Sequence, residues 1–339
     1  MAEVPLKPTL VAAAGFDATA DALNLRDAMK GLGTDEDRII DVLTHRSSLQ
    51  RAEIAAKYKV AYEKDLEEAF ASELHGDFER VCKYMVRPIT TLLAEELHRA
   101  MHRPGTKEGV LVEILCSRSN KEIRLIAAEY HKLFNKSLES DIASDTSRDF
   151  EDLMLALVNA ERDELHVKPP KPDPAHPAAV KPVPQPSAER AQNQAEQLYK
   201  AGEGRLGTSE KSFNMILATQ SYEQLRLTFE AYEKISKKTF EQAIRSETHG
   251  DYQDALLAIV AVAQNRPAFF AGRLKKAMKG PGTNDKDLIR LLISRAEIDL
   301  GNIKDEYLKM FGTPLEKDVA DDTSGDYRKL LLKLVGTTE

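Results

Sequence analysis

Ala28-Met29-Lys30-Gly31-Leu32-Gly33-Thr34 is followed, forty residues after Gly33, by the carboxylate of Glu73, and the same Gly-Thr to acid distance returns three more times. The other pairs are Gly105 with Asp145, Gly207 with Glu247, and Gly282 with Asp322. The copies agree elsewhere too. Arg46, Arg118, Gln220 and Arg295 lie thirteen residues after each glycine, and Asp77, Asp149, Asp251 and Asp326 lie four after each acid. Self-similarity with a period of about 70 residues marks an array, each copy being one supersecondary unit.

The units read as helical. Ala18, Ala22, Leu25 and Met29 form one helical stripe that ends at Gly31. Thr34 is expected to cap the next segment, where Ile39, Ile40 and Leu43 keep the same period. Tyr327, Leu330, Leu331 and Leu334 repeat the pattern near the end. Long period-two alternation and Asn-Gly hairpin signals are missing, so several short helices per repeat are expected.

One segment interrupts the array. Between Glu161 and Arg190 stand Pro169, Pro170, Pro172, Pro174, Pro177, Pro182, Pro184 and Pro186, more than half of the chain's 15 prolines. They predict an extended, polyproline-like spacer that separates a half with repeats one and two from a half with repeats three and four. The glycine-to-glycine interval grows there to 102 residues, against 72 and 75 elsewhere. The Pro174 to Pro177 match to a PxxP ligand is weak.

Composition narrows the function. With 42% hydrophobic and 30% charged residues the balance is that of a globular protein. No run of 18 apolar residues occurs, and the start Met1-Ala2-Glu3-Val4-Pro5 lacks the basic and apolar regions of a secretory signal. A soluble intracellular protein is expected. Cys82 and Cys116, the only cysteines, are too few for a disulfide framework and read as buried apolar groups. A net charge of −7 opposes loose binding to nucleic acid or to an anionic membrane. Either partner would need a bridging cation.

The repeated turn can supply one. Glycines on either side of Leu32 let successive carbonyls point into one concavity instead of along a helix. Three such oxygens and a bidentate Glu73 make about five hard ligands, where calcium takes about 6 to 8 and tolerates irregular geometry better than magnesium does. A site with one carboxylate binds calcium weakly, in roughly the 10⁻⁵ to 10⁻³ M range, and leaves positions for an anionic phosphate. Four such sites would act together. Each element alone also reads as a helix stop followed by a cap, with Asp145-Thr146-Ser147 or Asp322-Thr323-Ser324 capping the next helix; the constant forty-residue offset argues against caps alone. Glu36, Glu108, Glu210 and Asp285, three after each glycine, read either as minor cation sites or as first-turn acids favoured by the helix dipole.

Other chemistry is poorly supported. Gly280 to Lys286 lacks the Gly-Lys-Ser/Thr ending of a phosphate loop, no EF-hand pattern occurs, and no nucleophile and base are plausibly arranged for a hydrolase. His98 and His102 lie one helical turn apart, a spacing that can grip zinc, but no third ligand is evident in the sequence. His75 and His249, two residues after the acid in repeats one and three, are expected on protonation to weaken nearby cation binding.

Met29-Lys30-Gly31-Leu32-Gly33-Thr34 with Glu73, and Met278-Lys279-Gly280-Pro281-Gly282-Thr283 with Asp322-Thr323-Ser324-Gly325-Asp326-Tyr327, closely resemble the type II calcium-binding sequences of annexins. The resemblance implies an all-α fold of four five-helix repeats in a slightly curved disc, whose convex face carries calcium and docks on phosphatidylserine-type lipids. It places a tail at 1–17, repeats at 18–89 and 90–160, the linker at 161–190, and repeats at 191–265 and 266–339. Carried over, the calcium ligands are the carbonyls of Met29, Gly31 and Gly33 with Glu73, and of Met278, Gly280 and Gly282 with Asp322. The second repeat offers Met101, Gly105 and Asp145 but has Arg103 and Pro104 in its turn. The third offers Gly202, Arg205, Gly207 and Glu247, as in the variant loop annexins use there, with Leu206 at its tip. The linker is longer and richer in proline than the family's usual connection. The implied protein is non-enzymatic, takes Ca2+, binds anionic phospholipid and no nucleic acid, and is cytoplasmic and peripheral. Self-association on membranes, unconventional secretion, and a cytoskeletal or S100-type partner held by the tail or linker stay open.

Overall fold

The computed structural model describes residues 5–31, 33–102, 105–164, 184–202, 210–280 and 282–336, and among these every regular element is a helix. The first repeat holds α1 (Ala18–Ala28), α2 (Glu36–Thr44), α3 (Ser48–Tyr62), α4 (Leu66–Glu73) and α5 (Gly76–Met85). The second holds α6 (Ile89–Met101), α7 (Glu108–Ser117), α8 (Asn120–Phe134), α9 (Leu138–Asp145) and α10 (Arg148–Val158). Then come α11 (Ala188–Ala201), α12 (Glu210–Thr219), α13 (Tyr222–Ser236), α14 (Phe240–Glu247) and α15 (Gly250–Ala277). The last repeat closes with α16 (Asp285–Ala296), α17 (Leu300–Phe311), α18 (Leu315–Asp322) and α19 (Gly325–Val335).

Helix α15 is two helices joined at Asn265 (φ −155°, ψ 92°), so each repeat has five helical segments. Pro267 causes the bend, since it has no N–H to donate and disfavours helical backbone before it. By length and composition α15 could cross a bilayer, but half of its most apolar window is buried in protein and the bend divides it.

The repeats are built by the same local chemistry. Helices α3, α8 and α14 start on reciprocal caps, Ser47 with Gln50, Ser119 with Glu122 and Thr239 with Gln242, each worth about 1 kcal/mol. The third helix always ends on a left-handed residue, Glu63 (53°), Asn135 (53°), Lys237 (62°) or Gly312 (68°), which reverses the chain into the fourth helix. Each third helix also buries a tyrosine completely: Tyr58, Tyr130, Tyr232 and Tyr307. Cys82 and Cys116 are both fully buried, and burial pushes the Cys82 thiol well up, as suits an inert apolar group.

The repeats do not group as the position of the proline segment suggests. One compact unit comprises Met1–Leu92 with Pro267–Glu339, the other Leu93–Arg266, so repeat one joins repeat four and repeat two joins repeat three. The apolar faces decide this. A single core in the first unit contains Leu25, Ile39 and Phe70 together with Leu288, Leu292 and Leu331. Glu297 adds polar register by accepting from Ser48 N (2.7 Å), Ser48 Oγ (3.0 Å) and the buried Arg51 (3.0 Å). In the second unit Arg162 donates to the carbonyls of Leu217 (2.8 Å) and Gln220 (2.7 Å) and lies over the Tyr222 ring. Asp163 N donates to Thr219 O at 2.7 Å. The first residues of the expected linker are therefore fixed to repeat three, and α11 begins at its far end; the extended reading of 165–183 falls outside the described residues.

The expected tail is a strap. Thr9 N and Leu10 N both donate to Ala296 O (2.8 and 3.1 Å), Gly301 N donates to Lys7 O (2.8 Å), and Leu10 is buried. Gly301 is required here, because a Cβ would stand 2.7 Å from Lys7 O and 2.8 Å from Lys7 Cβ. Gly301→Ala is expected to displace the strap, to cost roughly 1 to 3 kcal/mol in thermal unfolding, and to speed proteolysis near Lys7; unchanged melting and cleavage would contradict this packing.

Candidate metal centre

In each repeat the fourth helix is eight residues long and ends on the predicted acid: Glu73, Asp145, Glu247 or Asp322. The chain stops being helical there for a common reason. The next residue is extended (Leu74, Thr146, Thr248, Thr323), and two residues further on Gly76, Arg148, Gly250 and Gly325 take φ of 65°, 58°, 64° and 60°. A carboxylate at a helix C-terminus lies where the macrodipole disfavours negative charge and where carbonyls are unpaired. Four acids in that position make sites that favour a cation.

The glycine loops have a matching construction. A backbone bond closes each across seven residues: Asp35 N to Ala28 O (2.8 Å), Lys107 N to Ala100 O (3.0 Å) and Asn284 N to Ala277 O (2.8 Å). Gly31 and Gly33 have φ of 106° and 92°, Gly280 and Gly282 of 109° and 89°, and Gly105 of 78°. A Cβ at any of the five would meet nothing within 4 Å, so glycine is needed for the backbone angle and not for space. All five are exposed, while Met29, Met101 and Met278 bury their side chains beneath the loops.

Loop and acid meet directly. Thr106 Oγ1 donates to Asp145 Oδ2 (2.7 Å) and approaches Asp145 O (3.2 Å); Thr283 Oγ1 repeats this with Asp322 at 2.5 and 2.9 Å. In the third repeat Glu247 Cγ lies 3.6 Å from where a Cβ on Gly202 would stand. The first repeat has the loop angles of the fourth and an acid at the same helix end. Arg205 and Gly207, with Arg103 and Pro104, lie outside the described residues.

One capping expectation is corrected. Asp35, not Thr34, caps α2, its side chain accepting from Arg38 N, and Asn284 does the same for α16. The threonine hydroxyls in repeats two and four serve the acids instead. Of the segments Asp145-Thr146-Ser147 and Asp322-Thr323-Ser324, the alternative cap reading holds in position only: Ser147 and Ser324 stand at the N-caps of α10 and α19 without a side-chain capping bond, and the acids end the preceding helices. Sequence reasoning missed the threonines, although their recurrence after every loop glycine was the signal.

Glu36, Glu108, Glu210 and Asp285 each occupy the first residue of a second helix, as first-turn acids. In the second unit Glu108, Asp145, Asp149, Glu210, Glu247 and Asp251 line a cavity of about 400 Å³, where Arg148 and His249 are the basic residues in the lining. Burial, then the charges of Asp251 and Asp145, hold the Glu108 carboxyl above its ordinary value against its own backbone amide. Burial and Asp77 do likewise for Asp285, with Tyr327 opposing.

The annexin family model matches residues 20–85, 93–157, 193–259 and 269–334. The chain belongs to the annexin family. It is 45% identical over 328 residues to mouse annexin A4, covering 97% of each chain. It is equally identical over 328 residues to human annexin A7, covering 97% of this chain but only 64% of that protein. Among solved structures, annexin III superposes with a TM-score of 0.90 at 38% identity, covering 98% of both chains. Calcium-bound annexin (Sm)1 superposes at 0.84 and 36% identity, covering 98% of this chain and 94% of that one. Annexins bind phospholipid membranes in a calcium-dependent way, are not enzymes, and attach peripherally from the cytoplasm.

The raised Glu108 carboxyl gives a signed test. An acid whose folded pKa is raised costs stability once pH exceeds that folded value, and costs nothing below its unfolded value. Glu108→Gln is therefore expected to raise the melting temperature of the calcium-free annexin at pH 7, with the gain shrinking at about pH 4. A lower melting temperature at pH 7 would contradict the acidic-cavity account.

Proposed function

We propose that this annexin attaches to anionic phospholipid through calcium bridges, the loop carbonyls and one carboxylate of each repeat holding the ion and a lipid phosphate completing its shell. The observation that carries the reading is the acid at the C-terminal end of each fourth helix, clasped in repeats two and four to the threonine of an exposed glycine loop. Bound calcium supplies the positive charge that two acidic surfaces lack. The chain's residues do the rest.

The left-handed glycines turn the carbonyls of residues 29, 31 and 33, and of 278, 280 and 282, out of helical register. The carboxylates Glu73 and Asp322 add hard oxygens and the only formal charge from these ligand sets, so affinity for calcium alone stays low. Phosphate adds charge and ligands together, which makes binding tight only where calcium and membrane coincide. The second and third repeats contribute Met101, Gly105 and Asp145, and Gly202, Arg205, Gly207 and Glu247, to the same chemistry. Several weak bridges on one chain multiply in effect. With calcium withdrawn the protein returns to solution. A protein partner on residues 5–10 would first have to displace the strap against repeat four.

Co-sedimentation with phosphatidylserine liposomes tests this. The wild type is expected to pellet with calcium and not with chelator, and Glu73→Gln combined with Asp322→Asn should need about tenfold more calcium or fail to pellet. A wild type that stays soluble at millimolar calcium would sink the proposal, and a double variant with wild-type behaviour would move the bridge away from repeats one and four.

A further inference from the structure

We propose that His98, His102 and Asp141 in the second repeat form a binding site for a divalent transition-metal ion of the zinc type, distinct from the calcium loops. One ligand atom from each residue lies within 4.8 Å of the others. Asp141, four residues before the calcium acid on α9, supplies the third ligand that the histidine spacing alone did not reveal. His102 Nε2 is 3.6 Å from Asp141 Oδ2. His102 N donates to His98 O at 2.9 Å, so the two rings keep the one-turn register that zinc-binding helices use.

The surroundings hold the ligands in place. Tyr130 Oη donates to Asp141 Oδ2 at 2.6 Å and lies 3.1 Å from His98 Nδ1, fixing both at once. Phe134 stacks on the His98 ring with centroids 3.7 Å apart. Asp141 is buried at 2% exposure and has Lys136 Nζ 3.4 Å from its other oxygen. Tyr130 orients the ligands from behind, the kind of contact that sharpens metal affinity, whereas the Lys136 ammonium is a cation that a bound metal would have to displace from Asp141. The imidazoles stack at 3.8 Å, and the exposed His102 side chain, just past the end of α6, would have to rotate to bring both nitrogens onto one ion.

The fourth repeat shows what this position holds elsewhere. There Asp318 accepts from Tyr307 (2.5 Å), as Asp141 does from Tyr130, but its cation is Lys275 at 2.7 Å. His98 occupies the place of Lys275, seven residues before the loop glycine, and His102 that of Lys279, three before it. Two lysines are thus replaced by two imidazoles beside a carboxylate that is buried in repeat two and half-buried in repeat four. Two nitrogens and one oxygen are a zinc donor set with a fourth position for water, whereas calcium and magnesium require oxygen ligands.

The test is a zinc chloride titration of the metal-stripped full chain in calcium-free buffer, repeated with cobalt to read the visible bands of a four-coordinate site. The wild type is expected to take one zinc that His98→Gln and His102→Gln each weaken by about tenfold or more. His102 is exposed, so that variant keeps its fold, which circular dichroism verifies. The Glu73→Gln plus Asp322→Asn protein should bind this zinc unchanged. No zinc uptake by the wild type, wild-type uptake by His102→Gln, or loss in the Glu73 and Asp322 double variant would each overturn the proposal.

Discussion

A carboxylate held at the C-terminal end of a short helix, against a loop forty residues earlier, is the constraint on which the rest of the molecule depends. Alone, that acid is in the wrong place: the helix dipole and unpaired carbonyls repel it. The structure tolerates it in all four repeats because the chain turns sharply afterwards and, in repeats two and four, a threonine hydroxyl binds it. The remaining imbalance is what the proposed calcium ion would relieve.

That constraint explains why the loops and acids were legible in the sequence. A loop that meets a distant acid keeps its spacing, so Gly105 with Asp145 and Gly282 with Asp322, whose loop threonines bind the acids, stood out by offset alone, and the helical fold followed from periodicity. The partner of Thr106 or Thr283 was harder to see, because a threonine before a helix equally suggests a cap, and only the three-dimensional arrangement shows Asp35 and Asn284 capping instead. Asp141 was hidden for a related reason. Nothing in its neighbours distinguishes it from any acid on an amphipathic helix until Tyr130 and His98 are brought beside it.

The pairing of repeats was misread for a different reason. A proline-rich interval between repeats two and three looks like a divider, yet sequence distance says little about which apolar faces meet. Arg162 closes the second unit by capping carbonyls of α12. Arg46 and Arg295, prominent by their regular offset, proved to be architectural: Arg46 pairs with the buried Asp21 (2.5 Å) and Arg295 with the buried Asp299 (2.6 Å). Regular spacing therefore marks fold as readily as function, and a buried partner separates the two.

The most direct measurement is a crystal structure of the calcium-loaded protein with ions located by anomalous scattering. The account predicts a calcium in repeats one and four at roughly 2.3 to 2.6 Å from the carbonyls of residues 29, 31 and 33 with Glu73, and of 278, 280 and 282 with Asp322. Ions bound elsewhere, with Glu73 and Asp322 left uncoordinated, would contradict it.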